Sequence, residues 1–193
     1  MTRALGFWCA AAMTLLAAGH AQAESFDLRD IMGGGPNYRG GGYGLGSSPV
    51  PRGRAMIDGY APGTIVIHTG ERRLYLVQGG GQAISYGIGV GRDGFRWSGT
   101  HRITAKKEWP SWTPPAQMLR RRPDLPRHMP GGIDNPLGAR AMYLGSTLYR
   151  IHGSNEPETI GQAVSSGCFR MTNEDVADLY NRVSVGTVVV VKN

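Results

Sequence analysis

The chain has 193 residues, a formal net charge of +7 and 40% hydrophobic residues, enough apolar material for one domain with its own core. Its basic residues are scattered, or stand together at Arg120-Arg121-Arg122 without interleaved stacking aromatics, which argues against nucleic acid as a partner. Beyond the N-terminus, no stretch is apolar and long enough to cross a bilayer.

Residues 1–23 carry Arg3, an uncharged apolar run from Ala4 to Ala18 and the small-x-small site Ala21-Gln22-Ala23. That pattern predicts a cleaved signal peptide, and the mature chain, without an integral membrane segment, is then expected in the periplasm or cell envelope. Of the two cysteines, Cys9 lies inside this signal, preceded by Phe7-Trp8 rather than the small residues found before a lipid-modified cysteine. Cys168 is then a lone thiol in an oxidising compartment, unable to form an internal disulfide. It is an intermolecular linker, an inert buried residue or a reactive nucleophile. For a basic exported chain, an anionic wall polymer or carboxylate-bearing peptides are the fitting partners; a solvated basic face is the plain alternative for any single arginine.

From Gly33 to Gly63 the chain is glycine-rich, with runs such as Gly33-Gly34-Gly35-Pro36 and Gly40-Gly41-Gly42-Tyr43-Gly44. So little apolar surface does not offset the entropy of ordering, so residues 24–62 are expected to be a flexible segment and 63–193 one folded domain. Thr64 to His68, Arg72 to Val77 and Gln82 to Ile88 read as strands, separated by Thr69-Gly70-Glu71 and Gly79-Gly80-Gly81. His101 to Trp109 is a fourth, after a loop rich in glycine. The pattern predicts an antiparallel meander. Pro110 to Gly138 then changes character, since its prolines break any regular sheet and leave one helical turn at Ala116 to Arg121. An irregular insertion of that length is read as a lid or groove wall. Strands resume at Ala141 to Leu144 and Leu148 to His152. Thr172 or Asn173 caps a helix on which Val176, Leu179, Tyr180 and Val183 share a face, and Thr187 to Val191 closes the domain as a buried strand.

His152 ends a strand just before Gly153, and Cys168 follows Gly167 at a turn leading to the helix. A free thiol, with a pKa of about 8.5, is mostly protonated near neutrality and needs a base or a positive neighbour to act as a nucleophile. A strand end and a glycine-flanked turn can meet in space, with the loop between them closing over the site and the amides around Gly167 and Cys168 facing an oxyanion. His68, His101 and His128 lack the short spacing of a metal site, so no metal is expected. Trp109 and Trp112 either flank a sugar or stem peptide or anchor the insertion to the sheet.

Ile151-His152-Gly153, Ile160-Gly161 and Ser165-Ser166-Gly167-Cys168-Phe169-Arg170-Met171, with Asn173, Asp175, Leu179-Tyr180 and Gly186-Thr187-Val188, resemble the L,D-transpeptidase catalytic domain of the YkuD type. The resemblance covers roughly residues 63 to 193. It implies a mainly β fold, a sandwich or barrel of mostly antiparallel strands with one or two short helices. It also implies an exported cysteine acyltransferase acting on peptidoglycan stem peptides, with neither metal nor organic cofactor. In the family, the cysteine matching Cys168 attacks the carbonyl of the L-centre of diaminopimelate in a tetrapeptide stem, expelling D-alanine and leaving a thioester. The side-chain amine of a neighbouring diaminopimelate resolves it into a 3-3 crosslink. The histidine matching His152 is the base, and the backbone carbonyl matching Gly153 orients its ring. Where many members have a second histidine this chain has Ser166, which leaves His152 the only imidazole base and Ser166 at most a hydrogen-bonding helper. Arg170 matches a position often basic in the family; it is expected to hold a donor carboxylate or to favour the thiolate, with an ion pair to Asp175 or Glu174 as the alternative. Arg170, Ser166 and Trp112 are thus the expected substrate-binding residues, and Gly167 the expected oxyanion backbone.

Three functions remain open at this point. The first is crosslinking. The second is the same thioester chemistry with another acceptor: an envelope protein's amine, a D-amino acid or water. The third is a catalytically silent wall-binding module with the glycine-rich segment as its spacer. A cysteine endopeptidase of another fold fits less well, because those exported wall hydrolases usually place cysteine before histidine.

Overall fold

The structure, a computed structural model, describes residues 48–193. The expected export signal, Cys9 and the glycine-rich stretch ahead of Ser48 lie outside the described residues. The chain runs through strands β1 (Gly53–Met56), β2 (Ile65–His68), β3 (Arg73–Gly79), β4 (Gln82–Gly87), β5 (Val90–Gly91) and β6 (Gly99–Glu108) before helix α1 (Ala116–Arg121). It continues through β7 (Arg140–Leu144), β8 (Arg150–His152), β9 (Ala163–Ser165), β10 (Phe169–Arg170), helix α2 (Asn173–Arg182) and β11 (Val188–Lys192).

Nine strands form one sheet in the order β1-β4-β3-β2-β11-β6-β7-β8-β10, and β5 pairs with β9 apart from it. Pairing is antiparallel except for β11 with β2, β10 with β8 and β5 with β9. The last strand therefore slots into the middle of the sheet. Strand β6 changes partner along its length, from β11 at Gly99 to Arg102 to β7 from Ile103 onward, with a bulge between Ile103 and Ala105. A bulge bends a strand and increases its twist. The two halves of the sheet accordingly share one core: Ile65, Ile67, Leu74 and Leu76 from one half meet Met142, Leu144, Ile151 and Phe169 from the other. Mainly β with two short helices is the architecture that the family resemblance implies, with three parallel pairings where the apolar runs predict an antiparallel meander.

Helix α2 closes this core with Val176 and Leu179. Its start is set by Thr172, whose Oγ1 accepts from the Asp175 amide at 3.2 Å, with Glu174 and Asp175 placed favourably against the helix dipole. Its end is held by Lys106, whose Nζ donates to the Tyr180 and Val183 carbonyls at 2.6 Å each. Four carbonyls at a helix end lack partners within the helix, and a lysine there satisfies two of them.

Two regions differ from the reading of the sequence. Gly53–Met56, inside the segment expected to be flexible, is strand β1, paired with β4 from Gly53↔Ser85 to Met56↔Gln82. It is ordered by backbone pairing to a sheet edge, leaves Met56 70% exposed, and so carries no periodic apolar signal. Arg52 just before it bonds Asp178 of α2 at 2.7 Å, and Val50 rests on Gly87 and Gly161. The insertion after β6, for its part, builds a small core of its own from Trp112, Leu125 and Leu137, with Met118, Leu119 and Met129 packed on it. From α1, Arg121 stands over the Phe95 ring at 5.8 Å, so the insertion reaches the loop that precedes β6. No helix among the described residues is long and apolar enough to cross a membrane.

Candidate active site

The site is assembled by the register of two short strands. Strand β10 runs parallel to β8 with Phe169 opposite Ile151 and Arg170 opposite His152. Side chains alternate across a strand. Ile151 and Phe169 enter the core, so Arg150, His152 and Arg170 take the other face. Cys168, one step before Phe169, falls on that face beside Arg150 and diagonal to His152. The alternation thus turns two core hydrophobics into an alignment device for a thiol and an imidazole.

His152 is 3% exposed, and its Nδ1 lies 2.6 Å from the Gly153 carbonyl oxygen. A carbonyl only accepts, so Nδ1 carries the hydrogen and Nε2 is left with its lone pair. Burial pushes the imidazole down to about 3; the Arg170 charge adds to this, the Gly153 bond opposes it, and Arg150 adds a smaller push in the same direction. His152 is therefore neutral at ordinary pH, with the Nε2 lone pair unprotonated. Gly153 is itself held in place: a side chain on it would collide with Asn173 Oδ1, which accepts from the Ala139 amide at 2.8 Å. Only glycine lets the first residue of α2 pack this close to the histidine strand.

Cys168 is half-buried. Its Sγ donates toward the Leu148 carbonyl at 3.7 Å. Burial pushes the thiol up, while Arg150 and then Arg170 draw it down. The turn before it needs Gly167, with φ +108, because a Cβ there would meet the Tyr149 ring. Trp97 Nε1 donates to the Gly167 carbonyl at 2.8 Å, and the Trp97 indole stacks on Tyr149 with ring centres 4.4 Å apart and planes 12° apart. The nucleophile turn is thereby clamped from above.

Several expected roles move to other residues. The Gly167 amide, expected to face an oxyanion, donates to Ser165 Oγ at 3.1 Å, and the Ser165 hydroxyl donates to the Cys168 carbonyl at 2.6 Å. Ser165 thus shapes the turn, whereas Ser166, the expected helper, is half-buried and makes no hydrogen bond among the described residues. Arg170 is 1% exposed and bonds Glu156 Oε2 at 3.1 Å and Thr159 Oγ1 at 3.3 Å. It is neither open to a substrate carboxylate nor paired with Asp175 or Glu174, which face Arg52 instead. Trp112 is 4% exposed inside the insertion's core, so of its two expected roles the structure gives it the anchoring one. Among the described residues no three His, Cys, Asp or Glu side chains cluster as metal ligands do.

Arg150 and Trp97 are the residues that sequence reasoning missed. Arg150 had a signal available: it stands two positions before His152, hence on the same strand face. Trp97 had none, being 70 positions from the Gly167 carbonyl it bonds.

A family model described as the L,D-transpeptidase catalytic domain, YkuD, matches residues 62–191. A curated Escherichia coli protein named "Probable L,D-transpeptidase YbiS" is 42% identical over 132 residues, covering 64% of this chain and 42% of that protein. The chain spans about two fifths of the length of the curated E. coli relatives it matches. A Brucella melitensis crystal structure, named as a probable carnitine operon oxidoreductase, is 43% identical with a TM-score of 0.51, covering 83% of this chain and 96% of that one. L,D-transpeptidase 3 from Mycobacterium tuberculosis, in complex with a faropenem-derived adduct, has a TM-score of 0.53 at 17% identity, over 67% of this chain and 60% of that one. At that identity the likeness shows the fold alone.

Proposed function

Because the chain belongs to the YkuD family of L,D-transpeptidase catalytic domains, we propose that it is an exported transpeptidase that carries peptidoglycan stem peptides on Cys168 and forms 3-3 crosslinks. His152 Nε2 takes the proton from Cys168 Sγ, and the sulfur attacks the carbonyl of the diaminopimelate L-centre in a tetrapeptide stem. With the Gly167 amide engaged by Ser165, the oxyanion falls to the Cys168 amide. Collapse of the tetrahedral adduct breaks the carbon–nitrogen bond, and the departing D-alanine nitrogen takes the proton from the imidazolium. The side-chain amine of a second diaminopimelate then attacks the thioester and gives its proton to His152. The crosslinked peptide leaves, the sulfur departs as thiolate, and the imidazolium returns its proton.

The single observation that supports this reading is the β8–β10 register, in which Cys168 is diagonal to a histidine whose Nδ1 bonds the Gly153 carbonyl, leaving Nε2 as the base. Nothing in that pairing favours an oxidoreductase activity such as the one for which the Brucella melitensis protein is named. Purified full chain incubated with tetrapeptide muropeptides is expected to yield 3-3 dimers or exchange terminal D-alanine, with Cys168→Ala inactive. Activity that survives in Cys168→Ala removes the nucleophile. A carbapenem is expected to add its mass to Cys168; an unmodified, folded protein would leave the silent wall-binding module as the better reading. Wall digests from a deletion strain sort the acceptor: lost 3-3 dimers mean crosslinking, lost protein-bearing fragments mean attachment of an envelope protein.

A further inference from the structure

Several arginines of the domain have a carboxylate partner. Arg170 is bonded to Glu156 at 3.1 Å, Arg140 to Glu108 at 3.2 Å and Arg52 to Asp178 at 2.7 Å. Arg150 has none among the described residues. Its guanidinium stands over the Tyr143 ring at 5.1 Å, and its Nε is buried without an acceptor. By sheet register it stands one step before Ile151, across from Cys168, which is one step before Phe169.

We propose that Arg150 is a catalytic residue, the counter-ion that holds the Cys168 sulfur as an anion when the proton moves to His152. This rests on the transpeptidase reading. In the step concerned the S–H bond breaks, its electron pair stays on Sγ and the proton joins Nε2 of His152, so a neutral pair becomes thiolate and imidazolium. A nearby cation helps the first charge and opposes the second. The two arginines divide on this point. Arg150 is the foremost charge acting on Cys168, whereas Arg170 is the foremost charge acting on His152, with Arg150 behind it. The charged groups facing the pair are thus Arg150 and His152 from β8 and Arg170 from β10, the last neutralised by Glu156 from the loop between. Arg150 is left as the uncompensated charge at the sulfur.

Alkylation of Cys168 by iodoacetamide, read by intact mass in the full chain across pH, tests this without any peptide substrate. Arg150→Met is expected to slow alkylation near neutrality about tenfold and to move the pH midpoint up by about one unit. Arg150→Lys, which keeps the charge, is expected to restore most of the rate. A folded Arg150→Met protein, with unchanged melting and a profile that superposes on the wild type, overturns the proposal. His152→Ala separates this from the transpeptidase reading. A rate that falls with His152→Ala and not with Arg150→Met removes Arg150 alone; a rate indifferent to His152→Ala removes the activated nucleophile itself.

Discussion

His152 is unusual in being a base by deprivation. Sealed at 3% exposure and lowered to about 3 by burial and then by Arg170, it stays neutral far below the pH at which an exposed histidine charges. The acid limb of kcat/KM is therefore expected below pH 5, and a limb near 6.5 would mean that the ring is hydrated and differently held. The same residue destabilises the fold in acid. Its folded pKa lies below the unfolded one, so the unfolded chain binds the extra proton between pH 6.5 and about 3 and stability falls as pH drops through that window, by up to about 1.4 kcal/mol per unit. Urea titrations at several pH values on wild type and His152→Gln are expected to show a flatter dependence in the variant. The histidine and cysteine themselves are legible in the sequence, because each sits beside a glycine at the end of an apolar run. Their electrostatic surroundings are not, because Arg170 is supplied across the strand pair and its partner Glu156 by a loop that has no periodicity.

The loop between β8 and β10 is held as an element by one buried pair. Arg170 reaches from the nucleophile strand to Glu156 and Thr159, and Arg72 bonds the Gly161 carbonyl at 2.7 Å. Removing one partner of a buried pair strands the other charge, at a cost of about 3–5 kcal/mol. Glu156→Ala is thus expected to lower the melting temperature by on the order of ten degrees and to cut activity with it; an unaltered melt would show that water replaces the carboxylate. Helix α2 and the long strands are read correctly from the chain because capping and alternation are local properties: Thr172 precedes acidic residues, and Leu74 and Leu76 alternate with polar partners. Strands β5, β9 and β10 escape because two or three residues cannot display a period. They exist through backbone pairing, β10 with β8 and with Gly89, β5 with β9 and with Gln162.

At the scale of the molecule, the first described residues tie the sheet edge to helix and loop. Asp178 collects the load: burial disfavours its charge, but hydrogen bonds from Arg182, Tyr86 and Arg52 hold its carboxyl well below the usual range. Such a carboxylate contributes stability above its unfolded pKa and loses it as pH falls further, adding to the histidine effect at the acid end. Asp178→Asn is expected to lower stability at neutral pH and to leave little difference from wild type in strong acid, as chemical denaturation at the two pH values would report. Composition points to a flexible segment here because the ordering comes from edge pairing and charge, neither of which glycine content reveals. The Trp97 clamp carries a last consequence. An indole bonded to the carbonyl of Gly167 and stacked on Tyr149 lies one residue from the sulfur, so its emission should change when an acyl group arrives. The chain then reports its own acylation by intrinsic fluorescence, a signal that Trp97→Phe removes and that Trp109 and Trp112, housed in the insertion, do not replace.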